Sequence, residues 1–169
     1  MCIRDRADAT STLLPQRLIR SATADELIGG AGPDLLRGEL GNDLLTGGGE
    51  ADELWGGAGS NQFFSQADGA MDWLLISRDG SSNARRNRSS VDEIAALGSE
   101  DQLGILGATT RRLRFSLTSI NSTAYGRLDG VGIFVGKRLE AVYTGGDLSL
   151  AQIRDLTVGL PASYTGDLG

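Results

Sequence analysis

Histidine is absent from this chain, cysteine occurs once, at Cys2, and proline only three times. Without histidine there is no Ser-His-Asp triad, no Cys-His pair and no HExxH zinc site within these residues. No GxSxG occurs either, so the chain reads as a non-enzyme; a paired-carboxylate hydrolase is the one chemistry that composition leaves open. Soft and borderline metals are disfavoured, because they favour imidazole and thiolate ligands. No run of eighteen apolar residues occurs, and hence no helical membrane span is expected. The opening MCIRDR is charged with no apolar region behind it, so no signal peptide is visible. That hexapeptide looks like a translated sequencing adapter, which sets the expectation that the natural protein begins upstream.

What the chain has is glycine, 25 residues of it, and a period. Asp25, Asp34, Asp43, Asp52 and Asn61 fall nine residues apart. Around them run GGAGPDLLR (29–37), GELGNDLLT (38–46), GGGEADELW (47–55) and GGAGSNQFF (56–64), with a weaker RSATADELI (20–28) ahead. A fixed period of this kind signals a repeat architecture. The glycine half of each repeat can turn tightly, and the second half is a short extended segment. Two repeats then make one coil, and coils stack with parallel strands about 4.8 Å apart. Leu27, Leu36, Leu45, Leu54 and Phe63 form the expected inward column.

Alternate turns share an edge: Asp25, Asp43 and Asn61 on one, Asp34 and Asp52 on the other. Each edge is a ladder of turn carbonyls and carboxylates. Hard oxygen donors in a flexible array suit Ca²⁺, which takes about 6–8 of them, better than the strictly octahedral Mg²⁺. Residues 23–69 hold nine acids against the single base Arg37, a net charge of −8 in a chain whose total is −6. Such a ladder repels itself and should fold well only when cations neutralise it. The alternative is a roll of glycine–aspartate turns that binds no ion.

The stretch 20–64 resembles the hemolysin-type (RTX) calcium-binding nonapeptides of secreted bacterial proteins, whose pattern is GGxGxDxUx. The resemblance implies that turn carbonyls and the repeat aspartate bind Ca²⁺ between turns one coil apart. Carried over, the metal ligands come from Gly29, Gly30, Gly32 and Asp34; Gly38, Gly41 and Asp43; Gly47, Gly48 and Asp52; Gly57, Gly59 and Asn61; and Asp25. Asp34 with Asp52 and Asp25 with Asp43 each bracket a site, and Asp43 with Asn61 a poorer one. Glu39 and Glu50 replace turn glycines, Asn61 lacks charge and residues 20–24 lack glycine. One to three ions are therefore expected.

The fold class expected is all-β, a short parallel β-roll followed by a β-rich, mainly antiparallel capping module with one short C-terminal helix. Residues 1–19 are expected to be a linker, with Leu13-Leu14 and Leu18-Ile19 able to pack over the open end of the roll. The roll itself is assigned 20–68 and the capping and secretion module 69–169. After Phe64 the nine-residue phase stops, and Asp72–Ser77 reads as a strand closing the roll. The arginine-rich stretch 78–90 lacks aromatic neighbours and reads as an exposed loop, not a nucleic-acid site. Segments 91–107, 110–120, 130–136 and 138–146 alternate as strands, with a hairpin at Gly136-Lys137, and 148–157 has the spacing of a helix capped at Asp147 or Ser149. Trp55 and Trp73 read as packing residues.

The later half is similar to the module that follows the repeats in such proteins, where D-x-I and D-x-(I/L)-x-(I/L) recur; Asp92-Glu93-Ile94 and Asp101–Ile105 match it. The resemblance implies a secreted, extracellular bacterial protein, a type I exporter as partner during export, an upstream domain on the same polypeptide, and calcium in place of disulfides as the staple. The expected function is calcium binding by repeats that fold on secretion, serving as a stability and export module. The alternative is the tail of a hydrolase, adhesin or toxin whose active domain lies upstream.

Overall fold

The structure, a computed structural model, describes residues 6–8, 17–19, 22–78 and 91–165. The expectations for 1–5, for Leu13-Leu14 and for Arg85, Arg86 and Arg88 lie outside these residues. In chain order the strands are β1 (Arg6–Asp8), β2 (Arg17–Ile19), β3 (Glu26–Ala31), β4 (Leu35–Arg37), β5 (Leu44–Gly49), β6 (Glu53–Gly57), β7 (Gln62–Phe64), β8 (Trp73–Ile76), β9 (Asp92–Ala96) and β10 (Gln102–Leu106). A single turn of 3₁₀ helix at Thr110–Arg112 precedes β11 (Leu113–Ser122), β12 (Gly126–Val135), β13 (Arg138–Tyr143), the helix α1 (Leu150–Leu156) and β14 (Thr157–Leu160).

From β1 to β10 successive strands alternate between two sheets, as a two-strand coil demands. One sheet has the order β1-β3-β5-β7-β9-β13-β12-β11 and the other β14-β10-β8-β6-β4-β2. The second is parallel throughout, and in the first only the β11–β12 and β12–β13 pairs are antiparallel. Register aligns the inward residues in two columns. Leu27, Leu45, Phe63, Ile94 and Tyr143 run along the first sheet. Leu18, Leu36, Leu54, Leu74 and Leu103 run along the second. From Leu27 to Phe63 every expected column member is fully buried. Each such leucine contributes about 2 kcal/mol of apolar burial, and from Leu27 to Phe63 the column is a hydrophobic stack.

The stack is longer than the nine-residue phase. Ahead of residue 20, β1 and β2 already pair with β3 and β4. Beyond Phe64, β8, β9 and β10 continue the parallel stacking, and antiparallel pairing begins only at β11–β13. The helix caps the far end, with Ile153 buried and Ser149 and Gln152 forming a reciprocal capping box. The hairpin turn falls at Gly136, whose φ of 66° suits glycine. On the outer face of the second sheet, Trp55 stacks on Tyr164 at 5.9 Å between ring centroids, and Arg37 lies 4.4 Å over the Trp55 ring. Arg37 Nη2 also donates to Thr165 O at 3.1 Å, so the segment after β14 is strapped back across the roll.

Candidate metal centre

Each turn that precedes a strand ends in the ladder residue, and the two edges carry the same hydrogen-bond unit. On the first edge Asp25 N donates to Asp43 Oδ1 (2.9 Å), Asp43 N to Asn61 Oδ1 (3.0 Å) and Asn61 N to Asp92 Oδ1 (2.7 Å). On the second edge Asp34 N donates to Asp52 Oδ1 (2.8 Å), Asp52 N to Asp72 Oδ1 (2.8 Å) and Asp72 N to Asp101 Oδ1 (3.0 Å). The main chain repeats with it, the carbonyl of each ladder residue accepting the N–H just after the next, as in Glu53 N to Asp34 O at 2.8 Å. One carboxylate oxygen per rung is thus committed to holding the coils in register.

The second oxygen decides the chemistry. Asp25, Asp43 and Asp52 are buried, and the Oδ2 of each has no hydrogen-bond partner. An unmatched buried carboxylate oxygen is costly, and a cation is the usual remedy. Backbone oxygens stand beside two of the rungs. A Cβ added at Gly29 would meet Asp34 Oδ2 and lie 2.5 Å from Gly47 O; one at Gly38 would meet Asp43 Oδ2 and lie 2.7 Å from Gly56 O. Glycine at the head of the turn therefore leaves a cradle lined by a carboxylate and a carbonyl of the next coil. Among the described residues no three acidic, histidine or cysteine side chains converge, so an ion here would draw on carbonyls as much as on carboxylates. That hard, mixed oxygen set fits Ca²⁺.

Electrostatics agree. Burial pushes the Asp52 carboxyl up to about 8, with Asp72, Asp34 and Asp68 adding to the rise. Asp43 and Asp72 are pushed up to about 6, again chiefly by burial. The protein alone does not fully stabilise these charges, and a divalent cation would.

The sequence candidates are distributed unevenly over this arrangement. Asp25 and Asp43 share the first edge and Asp34 and Asp52 the second, as the spacing requires. Asn61 has both ends of its amide engaged: Oδ1 holds Asp43 N, and Nδ2 donates to Gly57 O at 3.4 Å. Gly30, Gly32, Gly41, Gly48, Gly57 and Gly59 all have positive φ, and Cβ atoms at Gly48, Gly57 and Gly59 would run into Gly30 O, Glu39 O and Gly41 O. Sequence reasoning missed Asp72, Asp92 and Asp101 as rungs of the same ladder. Their signal was present: each has an inward apolar residue two positions on (Leu74, Ile94, Leu103), as Asp34 has Leu36. It also missed Tyr125, whose hydroxyl donates to Ser60 O from the β11–β12 turn and closes the first edge. Tyr125 lines a groove of about 240 Å³ with Asp25, Asn42, Asp43 and Gln62, and burial holds its hydroxyl above the ordinary tyrosine range.

Comparison with known families identifies the ladder. Residues 21–53 and 28–63 match the model of the RTX calcium-binding nonapeptide repeat (4 copies). The match is confined to the coils that hold the glycine cradles. No curated protein matches the chain.

Proposed function

We propose, from the premise that residues 21–63 are RTX calcium-binding nonapeptide repeats, that this chain is a calcium-folded module of a secreted bacterial protein. The observation that carries the reading is the set of buried Oδ2 atoms on Asp25, Asp43 and Asp52 that the protein leaves without donors. Bound there, Ca²⁺ supplies the positive charge that lets stacked carboxylates remain ionised inside the turns. Asp34 with Gly47 O and Asp43 with Gly56 O are the principal ligand pairs, with Asp52 and Asp25 completing the brackets across one coil. The remaining turn glycines, Gly30, Gly32, Gly41, Gly48, Gly57 and Gly59, hold the carbonyls in place, and Asn61 serves as the uncharged end of the first edge.

Linkage then gives the module its use. Where Ca²⁺ is scarce the acidic segment repels itself, leaving it unfolded enough to thread a type I exporter. Outside the cell, millimolar Ca²⁺ above a Kd of about 10⁻⁴ M turns binding into folding free energy. Strands β11–β14 and α1 close the end of the stack that β8–β10 prolong, and an upstream domain on the same polypeptide would inherit its stability. No helix among the described residues is long and apolar enough to cross a membrane.

Circular dichroism tests the switch. Metal-free chain should lack much of its β signal, gain it with millimolar Ca²⁺ and gain little with Mg²⁺. A chain equally folded with and without Ca²⁺ would sink the proposal. By calorimetry, Asp34→Ala combined with Asp52→Ala should remove at least one ion from the stoichiometry; an unchanged count refutes the bracketing across one coil.

A further inference from the structure

The two sheets do not end together. The first has eight strands and the second six, so β12 and β11 run on past β14 with no strand facing them. The inward column of the first sheet runs on with them. In register it passes from Leu27 through Leu45, Phe63, Ile94, Tyr143 and Val131 to Leu117 on β11. The first six of these are at most 5 % exposed, whereas Leu117 is 79 % exposed. Helix α1 packs against β11 yet leaves Leu117 uncovered. A column that stays dry over six strands ends in the most exposed large apolar side chain among the described residues.

The strand that carries Leu117 is an open edge. Of the four edge strands, β1 and β2 have three residues each and β14 has four, while β11 has ten. Edges that stay unpaired are commonly short, or are interrupted by proline, lysine or a bulge. LRFSLTSINS contains neither proline nor lysine, and β11 pairs with β12 over all ten residues without a break. The irregularity in this part of the sheet falls between β12 and β13. Arg114 is the one charge on the strand.

We propose that β11 pairs antiparallel with β11 of a second copy of this chain, about a twofold axis that passes through Leu117 at right angles to the sheet. The two eight-stranded sheets then become one. Residues directly opposite in an antiparallel pair share a face, so this axis sets Leu117 against its counterpart, with Phe115 and Ser119 of the second copy on the diagonals. The same register puts Arg114 opposite Ile120, so the only charge on each strand faces an apolar residue and can lay its aliphatic stem along it. Arg111 and Arg112 of each copy come toward Thr123 and Ser122 of the other, at the β11–β12 turn. That turn leans on the acidic first edge: the Tyr125 hydroxyl donates to Ser60 O and lies within electrostatic reach of Asp92, Glu93 and Asp43. The basic end of one copy therefore approaches the acidic side of the other, twice by symmetry. Column end and charge are both self-complementary, which selects a second copy over an unrelated extended peptide. The pairing needs the fold alone and is independent of which ion the glycine turns bind.

Sedimentation of the full chain at saturating Ca²⁺ reads the assembly directly. Wild type should run as a dimer. Leu117→Lys, which sets two like charges on the axis, should run as a monomer with an unchanged circular dichroism spectrum, and Met71→Lys, at an exposed apolar residue elsewhere, should remain dimeric. Register is read by cysteine substitution in a Cys2→Ser background. Opposed Cα atoms in an antiparallel pair stand about 4.5–5.5 Å apart, within disulfide range, so Leu117→Cys should give a covalent dimer on mild oxidation. Ser119→Cys, about 13 Å from its counterpart along the strands, should not. A monomeric wild type overturns the proposal. So does a dimer that survives Leu117→Lys, or one that cross-links in Ser119→Cys and not in Leu117→Cys. A fold that ignores Ca²⁺ would undo the calcium reading and leave these masses as they are.

Discussion

Glu39 and Glu50 stand where sister repeats place glycine, and each adopts a φ of 70°. That value lies in the small left-handed region open to L-residues at a cost of about 1–2 kcal/mol. Their glycine counterparts sit mostly further out, at 115° for Gly30 and 122° for Gly48 in the second position, and 149°, 141° and 134° for Gly32, Gly41 and Gly59 in the fourth. The two glutamates therefore shift the turn into the part of φ space they can reach and keep its course. From sequence they read as defects that weaken sites; the repeat pattern does not reveal that backbone can absorb the change. Relieving the strain should outweigh the extra freedom glycine brings to the unfolded chain, which is worth about 0.5–1 kcal/mol. Glu39→Gly is thus expected to stabilise the calcium-loaded chain by up to about 1 kcal/mol, measured as a higher urea midpoint at unchanged slope. It also removes one charge from the acidic segment. A lowered midpoint would show that the Glu39 side chain contributes more than its backbone costs.

At the scale of the element, the glycine turn acts through contact as well as conformation, and two glycines separate these effects. Gly48 (φ 122°) sits directly against Gly30 O one coil away, whereas Gly69 (φ 89°) has nothing within 4 Å of where a Cβ would be. Gly69→Ala carries only the penalty of positive φ, roughly 1–2 kcal/mol. Gly48→Ala adds a collision with a backbone carbonyl, and its cost should exceed about 3 kcal/mol. Calcium titrations followed by circular dichroism should find Gly69→Ala near wild type and Gly48→Ala folding only at much higher Ca²⁺, if at all. Equal behaviour of the two would mean that the coils are free to slide apart. Elements with local signals were legible in sequence: the hairpin at Gly136, the helix capped by Ser149, the column from Leu27 to Phe63. Asp72–Ser77 was legible as a strand closing the roll, but the continued stacking beyond it, of β9 and β10, was not. Its rung spacings of 20, 31 and 29 residues break the period, while the unit that makes a rung, an aspartate with an inward apolar residue two on, survives the insertions. Pairing across a sheet depends on that unit and tolerates any length of outer turn.

Across the whole molecule, buried carboxylates tie folding to pH and metal in opposite directions. In the metal-free chain, burial raises Asp52 to about 8 and Asp43 and Asp72 to about 6, each from an ordinary value of 3.8. A carboxyl whose folded value is raised holds its proton more tightly when folded. Its stabilising contribution is complete below the unfolded value and is lost as pH rises, here through about 6 for two of the groups and about 8 for the third. With chelator present, thermal unfolding should therefore occur at progressively lower temperature from about pH 5.5 to pH 8.5. Calcium reverses the slope, because its ligands must be deprotonated and protons compete for the same Oδ2 atoms. At millimolar Ca²⁺ the unfolding temperature should rise over that interval, with the largest gap between loaded and metal-free chain at the alkaline end. The uncharged Asn61 rung does not titrate, and exposed carboxylates are screened by water and salt. Melting curves recorded at several pH values, with chelator and with Ca²⁺, would decide it: parallel profiles would mean that the buried oxygens are not where the ion binds, and crossing profiles would place proton and calcium at the same carboxylates.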